Sequence, residues 1–471
     1  MGTTVYERAA PAPEVVRHAL AGAQARAFWL DDVVIERHPT LESRVEADLV
    51  VVGGGYTGLW TAIKAKERDP ERSVVLLEAQ RVGWAASGRN GGFCEASLTH
   101  GEENGRRRWP EEYDTLDHLG LENLDAIEST LERYAMKVDA ERTGLLKVAV
   151  EEHEVPWLRE RSHHDGATYL DREAVQAEIA SPRYLAGCWE RDTNLLIHPA
   201  KLVAELGRVA TDLGVEIFEH AAVEALTTTA DRVRLSTAVT EVSARQVVLA
   251  TNVFPSLLRR NRLMTVPVYD YVLATEPLSE AQLRSIGWSN RQGVSDLANQ
   301  FHYYRPTTDG RIVFGGYDAV YHTGRRVRAR YEDRPATFER LASHFFTLFP
   351  QLEGTRFSHR WSGAIDTCTQ FCAFFGTARR GKIAYAAGFT GLGVAATHFA
   401  ADVMLDLLAG EPTRRTSLEM VRKRPLPFPP EPLASAGINL ARWSMDRADH
   451  NQGRRNLVLR AMDAVGLGFD S

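Results

Sequence analysis

A glycine-rich turn directly follows the first clear apolar run of the sequence. In "ADLVVVGGGYTGLW", which begins at residue 47, Gly53, Gly55 and Gly58 come after three consecutive valines. Gly53 would allow a tight exit from a strand, Gly55 a close approach of the backbone to a pyrophosphate, and Gly58 close packing of the next helix. The start of that helix offers free N–H groups and a partial positive charge to an anion. The spacing predicts a dinucleotide-binding turn, in which we include Tyr56 and Thr57.

An acidic residue ends the second apolar run. Glu78 closes "SVVLLE" twenty residues beyond Gly58, where a carboxylate at a strand end can bind ribose hydroxyls. Residues 48–52, 57–67 and 73–78 have the pattern of strand, helix and strand, which is the βαβ unit that such a turn requires. We therefore assign Glu78 and the adjacent Ala79 to the adenosine side of the site. The alternative is a glycine-rich turn with no ligand.

A second glycine-rich loop, "AASGRNGG" (85–92), lies just past Glu78. Such a loop supplies N–H groups, a hydroxyl and a guanidinium to further phosphate or to an isoalloxazine ring, and glycines avoid clashes there. A nicotinamide dehydrogenase has no use for a second cradle at this place. The loop therefore favours FAD over NAD, although simple loop flexibility would also explain the glycines. The predicted contacts are Ser87, Gly88, Arg89, Asn90, Gly91 and Gly92.

A third turn, "GFTGLGVAATHFAADVML", lies some 300 residues further along the chain. Its glycines precede a helix whose N-terminus would point at the occupant of the turn. Negative charge develops at flavin N1 and O2 on reduction, and a helix N-terminus stabilises such charge by about 0.3 to 1 kcal/mol. The remaining predicted cofactor contacts come from this turn, from "VVLATN" and from two further strands: Gly388, Thr390, Gly391, Leu392, Gly393, Val394, Ala250, Thr251, Asn252, Val223 and Gly363.

An aromatic stretch, "FHYYRP", carries the candidates for substrate contact. Side chains alternate along a strand, so Phe301, Tyr303 and Arg305 share one face and His302 and Tyr304 the other. A neutral amine needs an apolar, aromatic cage that lowers its pKa, whereas an acidic group on the substrate needs Arg or Tyr.

Four residues form the candidate catalytic set, three from this stretch and one from "HRWSGAID": Tyr304, Arg305, His302 and Trp361. Tyr304 and Arg305 can both contact the substrate only if the strand has a bulge or ends there. Ordinary sheet packing is the alternative role for each.

The elements that must position these residues predict an α/β protein. We expect a Rossmann-like FAD-binding domain with a parallel sheet, interrupted by an α+β substrate domain built on an antiparallel sheet. The expected division is an N-terminal segment (1–46), an FAD-binding domain (47–92, 199–262 and 360–412), a substrate domain (93–198 and 263–359) and a C-terminal extension (413–471). The extension opens with a proline-rich strap and continues as a helix around 436–463.

Composition excludes several other classes of protein. The net charge is −6 and the Lys and Arg residues are scattered, so no basic face indicates nucleic-acid binding. No apolar run approaches the roughly 20 residues of a membrane helix, and we expect neither a membrane nor a metal partner. The N-terminus lacks signal-peptide features, which predicts a cytoplasmic protein.

Together, these motifs resemble the FAD-dependent oxidoreductases of the D-amino-acid oxidase superfamily, which includes glycine oxidase and sarcosine oxidase. The resemblance covers roughly residues 45–412 and is carried by "VVGGGYTGLWTAI", "GWAASGRNGGF", "HYYRPTTDGRIVFGG" and "GFTGLGV". Within the superfamily, these segments look closest to gamma-glutamylputrescine oxidase and to aminophosphonate oxidoreductases. Trp361 matches the Trp-x-Gly segment that the family places beside the flavin.

The resemblance implies FAD, a small amine as substrate, hydride loss from the carbon next to nitrogen, and hydrolysis of the imine to an aldehyde or keto acid. Ala364 falls where monomeric sarcosine oxidases carry their flavin-linked cysteine, which implies noncovalent FAD. Dioxygen would reoxidise the flavin and give hydrogen peroxide, or another electron acceptor would replace it. The alternative function is a flavin-binding protein without amine oxidase activity.

Overall fold

The computed structural model describes residues 2–163 and 166–464. Within them, two large sheets organise the chain, one mainly parallel and one mainly antiparallel. The helices, in chain order, are α1 (Val5–Arg8), α2 (Pro13–Leu20), α3 (Phe28–Asp31), α4 (Tyr56–Arg68), α5 (Glu102–Arg108), α6 (Tyr113–Arg133), α7 (Val155–Arg161), α8 (Arg172–Glu178), α9 (Pro199–Asp212), α10 (Glu280–Ile286), α11 (Pro335–Leu348), α12 (Gly393–Ala409), α13 (Arg414–Ser417), α14 (Glu419–Arg422), α15 (Leu433–Asp449) and α16 (Leu457–Ala464). The strands are β1 (Gln24–Ala25), β2 (Val45–Val52), β3 (Val74–Leu77), β4 (Phe93–Glu95), β5 (Leu145–Ala149), β6 (Ala167–Leu170), β7 (Ala186–Glu190), β8 (Asn194–Leu196), β9 (Glu216–Phe218), β10 (Val223–Thr228), β11 (Val233–Thr237), β12 (Glu241–Leu249), β13 (Thr265–Thr275), β14 (Gly293–Asp296), β15 (His302–Pro306), β16 (Ile312–Gly316), β17 (Val320–Tyr321), β18 (Phe357–Cys368), β19 (Phe374–Ala378) and β20 (Ile383–Ala387).

The parallel sheet carries the first glycine turn. Strands β20, β12, β2, β3 and β9 lie side by side and run parallel. Leu49 and Val51 of β2 pack in a cluster with residues of α4, α9 and α12, whereas Val50 and Val52 pack in a second cluster with Leu235. Burial of both faces explains why this strand is a continuous apolar run. The predicted Rossmann-like sheet is confirmed.

The antiparallel sheet forms the second half of the molecule. Its strand order is β1-β18-β13-β16-β15-β14-β5-β7-β6, with β17 paired to β13. One face buries an aromatic core that includes Phe314 of β16 and Phe345 of α11, and the other face looks towards the parallel sheet. The pairing of β14 with β5 is parallel, as is that of β1 with β18, so the sheet is mixed.

Two details of the fold differ from the sequence expectations. The sequence predicts that the FAD-binding domain resumes at residue 360. In the structure, residue 360 lies inside β18, which belongs to the antiparallel sheet through its pairing with β13. The chain rejoins the parallel sheet only at β19 and β20. The C-terminal helix expected over 436–463 is two helices, α15 and α16, because the chain turns at Gly453, whose φ is +73°.

None of the helices described in the structure combines the length and apolar character needed to cross a membrane.

The glycine turn depends on close contact between its own residues. Gly53 has φ +115°, in the region that side chains avoid. A Cβ added to Gly58 would lie 1.8 Å from the carbonyl oxygen of Gly53. Helix α4 therefore begins against the end of β2 only because residue 58 has no side chain.

We expect Gly58→Ala to lower the free energy of unfolding by about 1 to 3 kcal/mol or more, because the methyl group meets backbone that cannot move aside. A matched control is Gly207→Ala in α9, where the nearest atoms to an added Cβ are 3.9 Å away. That substitution should be neutral or stabilise by up to about 1 kcal/mol through helix propensity. Urea unfolding of both variants measures the difference, and equal effects would contradict this account of the turn.

Candidate active site

One cavity of about 1040 Å³ lies between the two sheets and joins all three glycine-rich turns. Of the cofactor contacts expected from the sequence, four do not line this cavity and lie behind its wall: Gly58, Gly88, Gly92 and Gly388. The others line it. In the part of the chain that the structure describes, no group of His, Cys, Asp and Glu side chains could hold a metal ion.

Glu78 lies at one end of the cavity, at the end of β3. Its Oε2 accepts the N–H of Gly54 at 2.6 Å. Its Oε1 accepts the N–H of Gln80 at 2.8 Å and the indole N–H of Trp84 at 2.9 Å. Burial raises the pKa of this carboxyl, and these hydrogen bonds oppose the increase. Its neighbours hold the carboxylate in place at the border of the cavity. A carboxylate that binds ribose hydroxyls needs such a position.

The first and second turns meet at Ser87. The Tyr56 N–H, at the start of α4, donates to Ser87 Oγ at 3.0 Å. A Cβ on Gly55 would lie 2.8 Å from the same oxygen. The first hydrogen bond within α4 runs from the Leu59 N–H to the Gly55 carbonyl, so the earlier N–H groups point out of the helix end. This end of α4 fits a pyrophosphate.

The second loop is closed by the Asn90 side chain. Asn90 Nδ2 donates to the Ala86 and Ser87 carbonyls at 3.1 and 2.9 Å, and Asn90 Oδ1 accepts the Gly92 N–H at 2.9 Å. Two tryptophans support the loop from behind: Trp29 Nε1 donates to the Asn90 carbonyl and Trp361 Nε1 to the Arg89 carbonyl, both at 2.8 Å.

The two last glycines of this loop are needed for contact with β15. A Cβ on Gly91 would lie 2.5 Å from the Tyr303 ring, and one on Gly92 would lie 2.3 Å from the Ile197 carbonyl oxygen and 2.6 Å from Arg305 Nη1. The sequence analysis attributed these glycines to a bound phosphate or flavin. The structure shows that their lack of a side chain lets the antiparallel sheet approach the loop.

Asp366 organises the third turn. Its Oδ2 accepts the Gly388 N–H at 2.5 Å, and its carbonyl accepts the Thr390 N–H at 3.3 Å. Burial raises the pKa of Asp366 to about 7, against hydrogen bonds that lower it. Helix α12 then begins at Gly393 with its N-terminus at the cavity. The sequence analysis had not assigned Asp366 to the site, because its contact with the turn spans 22 residues.

The candidate catalytic residues do not line the cavity, and this corrects the sequence prediction. Strand β15 is regular, so His302 and Tyr304 both point away from the cavity into the core beneath the sheet. His302 bonds Asp296 at 2.6 Å and His344 at 2.9 Å, and the Tyr304 hydroxyl bonds that of Tyr184 at 2.7 Å.

Arg305 and Trp361 are also wall-supporting residues. Arg305 is fully buried and donates Nη1 to the Ile197 and Gly92 carbonyls at 2.8 and 3.1 Å. Trp361 holds the second loop through the Arg89 carbonyl. Both side chains thus bond main-chain carbonyls behind the cavity wall.

Tyr303 is the β15 side chain that borders the cavity together with Phe301. Its ring packs against Gly315, where an added Cβ would lie 2.6 Å from the ring. Its hydroxyl donates to Asp270 Oδ2 at 2.5 Å. Burial raises the pKa of Asp270 to about 6, while the Tyr303 hydrogen bond lowers it. Strand alternation groups Tyr303 with Phe301 and Arg305, but it does not show which face borders the cavity. Asp270 is placed beside Tyr303 only by the pairing of β13, β16 and β15.

The C-terminal extension covers part of the cavity. The Phe428 N–H donates to the Leu263 carbonyl at 2.8 Å, and Thr369 Oγ1 donates to the Leu426 carbonyl at 2.7 Å. Residues 426–429 of the strap and the inner face of α15 line the cavity. The strap therefore folds back over its own chain.

Comparison with known proteins agrees with this geometry. A family model described as "FAD dependent oxidoreductase" (DAO) matches residues 48–407. The chain is 31% identical over 405 residues to gamma-glutamylputrescine oxidoreductase of Escherichia coli, covering 82% of this chain and 89% of that protein. It is 29% identical over 395 residues to "Probable oxidoreductase OrdL" of Haemophilus influenzae, with 81% and 87% covered. The crystal structure of glycine oxidase from Geobacillus kaustophilus shares the fold at a TM-score of 0.66 and 19% identity, covering 79% of this chain and 96% of that one.

The raised pKa of Asp270 leads to a prediction about stability and pH. An acid whose pKa rises from 3.8 unfolded to about 6 folded loses stability as the pH rises between these values, because the unfolded chain ionises first. Asp270→Asn cannot ionise. Its free energy of unfolding minus that of the wild type should therefore increase from pH 4 to 6, by about 3 kcal/mol at most. Urea unfolding across this range measures the gain.

The matched variant Tyr303→Phe keeps the carboxyl but removes its hydroxyl donor, so its loss of stability should extend to higher pH. A constant difference between Asp270→Asn and the wild type from pH 4 to 8 would contradict the burial of an ionisable group at this position.

Proposed function

The chain belongs to the DAO family of FAD-dependent oxidoreductases, and we propose that it oxidises the C–N bond of a small amine or amino acid. Candidate substrates are a gamma-glutamyl polyamine and an aminophosphonate. The product imine would hydrolyse to an aldehyde or keto acid. The observation that carries the proposal is the single cavity that joins the three glycine turns to the Tyr303–Asp270 pair.

The residues around the cavity fit FAD. We assign the ribose to Glu78, the pyrophosphate to the start of α4 and Ser87, and the flavin end to the turn at Gly391, with the other predicted residues that line the cavity between them. The N-terminus of α12 would stabilise negative charge at that end. When bound, FAD supplies the two-electron oxidation of the C–N bond.

We further propose that FAD is bound without a covalent link. Ala364 lines the cavity, and none of the four cysteines does. Burial raises the pKa of Cys368, the cysteine nearest along the chain to Ala364, to about 11, so this thiol is protonated at neutral pH.

Tyr303 and Asp270 are the residues we propose for handling the amine. The Tyr303 hydroxyl donates to Asp270, which leaves its oxygen lone pairs to accept an N–H from an amine. The buried surroundings disfavour an ammonium ion. Above about pH 6 the Asp270 carboxylate can accept, through the Tyr303 hydroxyl, the proton that a protonated amine releases as it becomes neutral, because burial sets the pKa of Asp270 near 6.

The electron acceptor is either dioxygen, with release of hydrogen peroxide, or another carrier. In the second case the protein is an amine dehydrogenase. Peroxide detection during turnover in air separates the two, since only the first reaction forms peroxide in proportion to the amine consumed.

The proposed reaction predicts that a substrate amine bleaches the flavin absorbance in the absence of oxygen. A panel of polyamines, gamma-glutamyl polyamines, amino acids and aminophosphonates, mixed anaerobically with the holoenzyme, tests this. Tyr303→Phe should slow bleaching by about 100- to 10,000-fold, the range for loss of a proton-transfer group. If no member of the panel bleaches the wild-type flavin, amine oxidation is the wrong activity.

Noncovalent binding predicts that acid precipitation releases the flavin. After treatment with trichloroacetic acid, we expect the yellow colour in the supernatant and a colourless pellet. A yellow pellet would show a covalent link and overturn this part of the proposal.

A further inference from the structure

A charged chamber occupies the part of the cavity beside β5. It is bordered by Glu95, His100, Lys147, Trp157 and Ser295. His100 Cε1 lies 4.0 Å from the position of a Cβ on Gly391, so the chamber adjoins the third glycine turn. None of these residues was singled out by the sequence, because they come from separate segments between residues 95 and 295.

The strand register places Lys147 in line with Tyr303. Lys147 pairs with Ser295 of β14, and Ser295 pairs with Tyr303 of β15. Paired residues point to the same face of a sheet, and all three border the cavity. Neighbouring strands are about 4.8 Å apart, so Lys147 and Tyr303 are separated by about 10 Å of cavity wall.

Within the described part of the chain, the ion pair that Lys147 makes is a long one. Its Nζ lies 3.9 Å from Glu190 Oε1, and the same oxygen is 2.5 Å from Arg161 Nε. One carboxylate thus serves two cations, and the guanidinium holds the shorter contact. The Lys147 side chain keeps 20% of its surface exposed, and Lys147 borders the cavity.

Two other titratable groups, Glu95 and His100, border the chamber with Lys147. Burial raises the pKa of Glu95, and the nearby charge of Lys147 opposes this increase. Burial lowers the pKa of His100 to about 4, and the charge of Lys147 adds to this effect, so the imidazole is neutral at pH 7. Burial also lowers the pKa of Lys147 itself, a cost that an anionic ligand would offset.

We propose that Lys147 binds an oxyanion, a carboxylate or a phosphonate, carried by the substrate amine. The residue would then select amines with an acidic group over plain alkylamines. This inference rests on the proposed function for the identity of the ligand as a substrate. The chamber is long enough to hold the acidic group while the amine lies at Tyr303, about two strands away.

Calorimetric titration of the holoenzyme tests the site without any turnover. Propionate and ethylphosphonate are the oxyanion probes, and propionamide is the neutral isostere of propionate. Lys147→Met should weaken binding of the favoured oxyanion by about 10- to 100-fold, the range for a lost hydrogen bond to a charged group. Propionamide affinity should stay unchanged, and Lys147→Arg should retain most of the oxyanion affinity.

Lys201→Met is the matched control, because Lys201 Nζ is paired with Asp139 at 2.7 Å and lies outside the cavity lining. It should bind both oxyanions like the wild type. Equal oxyanion affinity in the wild type and Lys147→Met, or no binding to the wild type, would overturn the inference.

Kinetics separate this inference from the proposed function. For an enzyme that oxidises amines, Lys147→Met should lower kcat/KM for an acidic amine such as 4-aminobutyrate or 2-aminoethylphosphonate and leave that for butylamine unchanged. If no amine bleaches the wild-type flavin but Lys147→Met still weakens oxyanion binding, the proposed function fails and the binding site stands.

Discussion

The close contact of β15 with the second glycine loop is the constraint on which the site depends. Arg305 is buried and donates to main-chain carbonyls at Gly92 and Ile197, and the Tyr303 ring lies against Gly91. A buried guanidinium is tolerated only when its hydrogen bonds are made. These contacts hold the antiparallel sheet against the turns of the parallel sheet, and the cavity is the space left between them.

The cavity wall is held in shape by side chains that bond its main chain. Trp29 and Trp361 hold the main chain of the second loop, and Asp366 holds that of the third turn. Each of these contacts gives a hydrogen bond to a main-chain group that would otherwise be buried without one.

The two ends of the chain contribute to the same region. Tyr6 of α1 donates its hydroxyl to Asp296 Oδ2 at 2.5 Å, and Asp449 of α15 accepts the Asn299 N–H at 2.9 Å. Both contacts fix the segment between β14 and β15, which lines the cavity. The family match ends at residue 407, and the covering formed by the strap and α15 lies beyond that range.

The sequence by itself determined the glycine turns, the βαβ unit and the two kinds of sheet, because these depend on residues within one or two elements of each other. It also found the family through those turns. Only the tertiary structure decided which face of residues 301–305 borders the cavity. Arg305 meets its partners 108 and 213 residues away, and Asp270 and Lys147 join Tyr303 through strand pairing. Sequence alternation separates the two faces of a strand, but the orientation of a face is set by what packs on it.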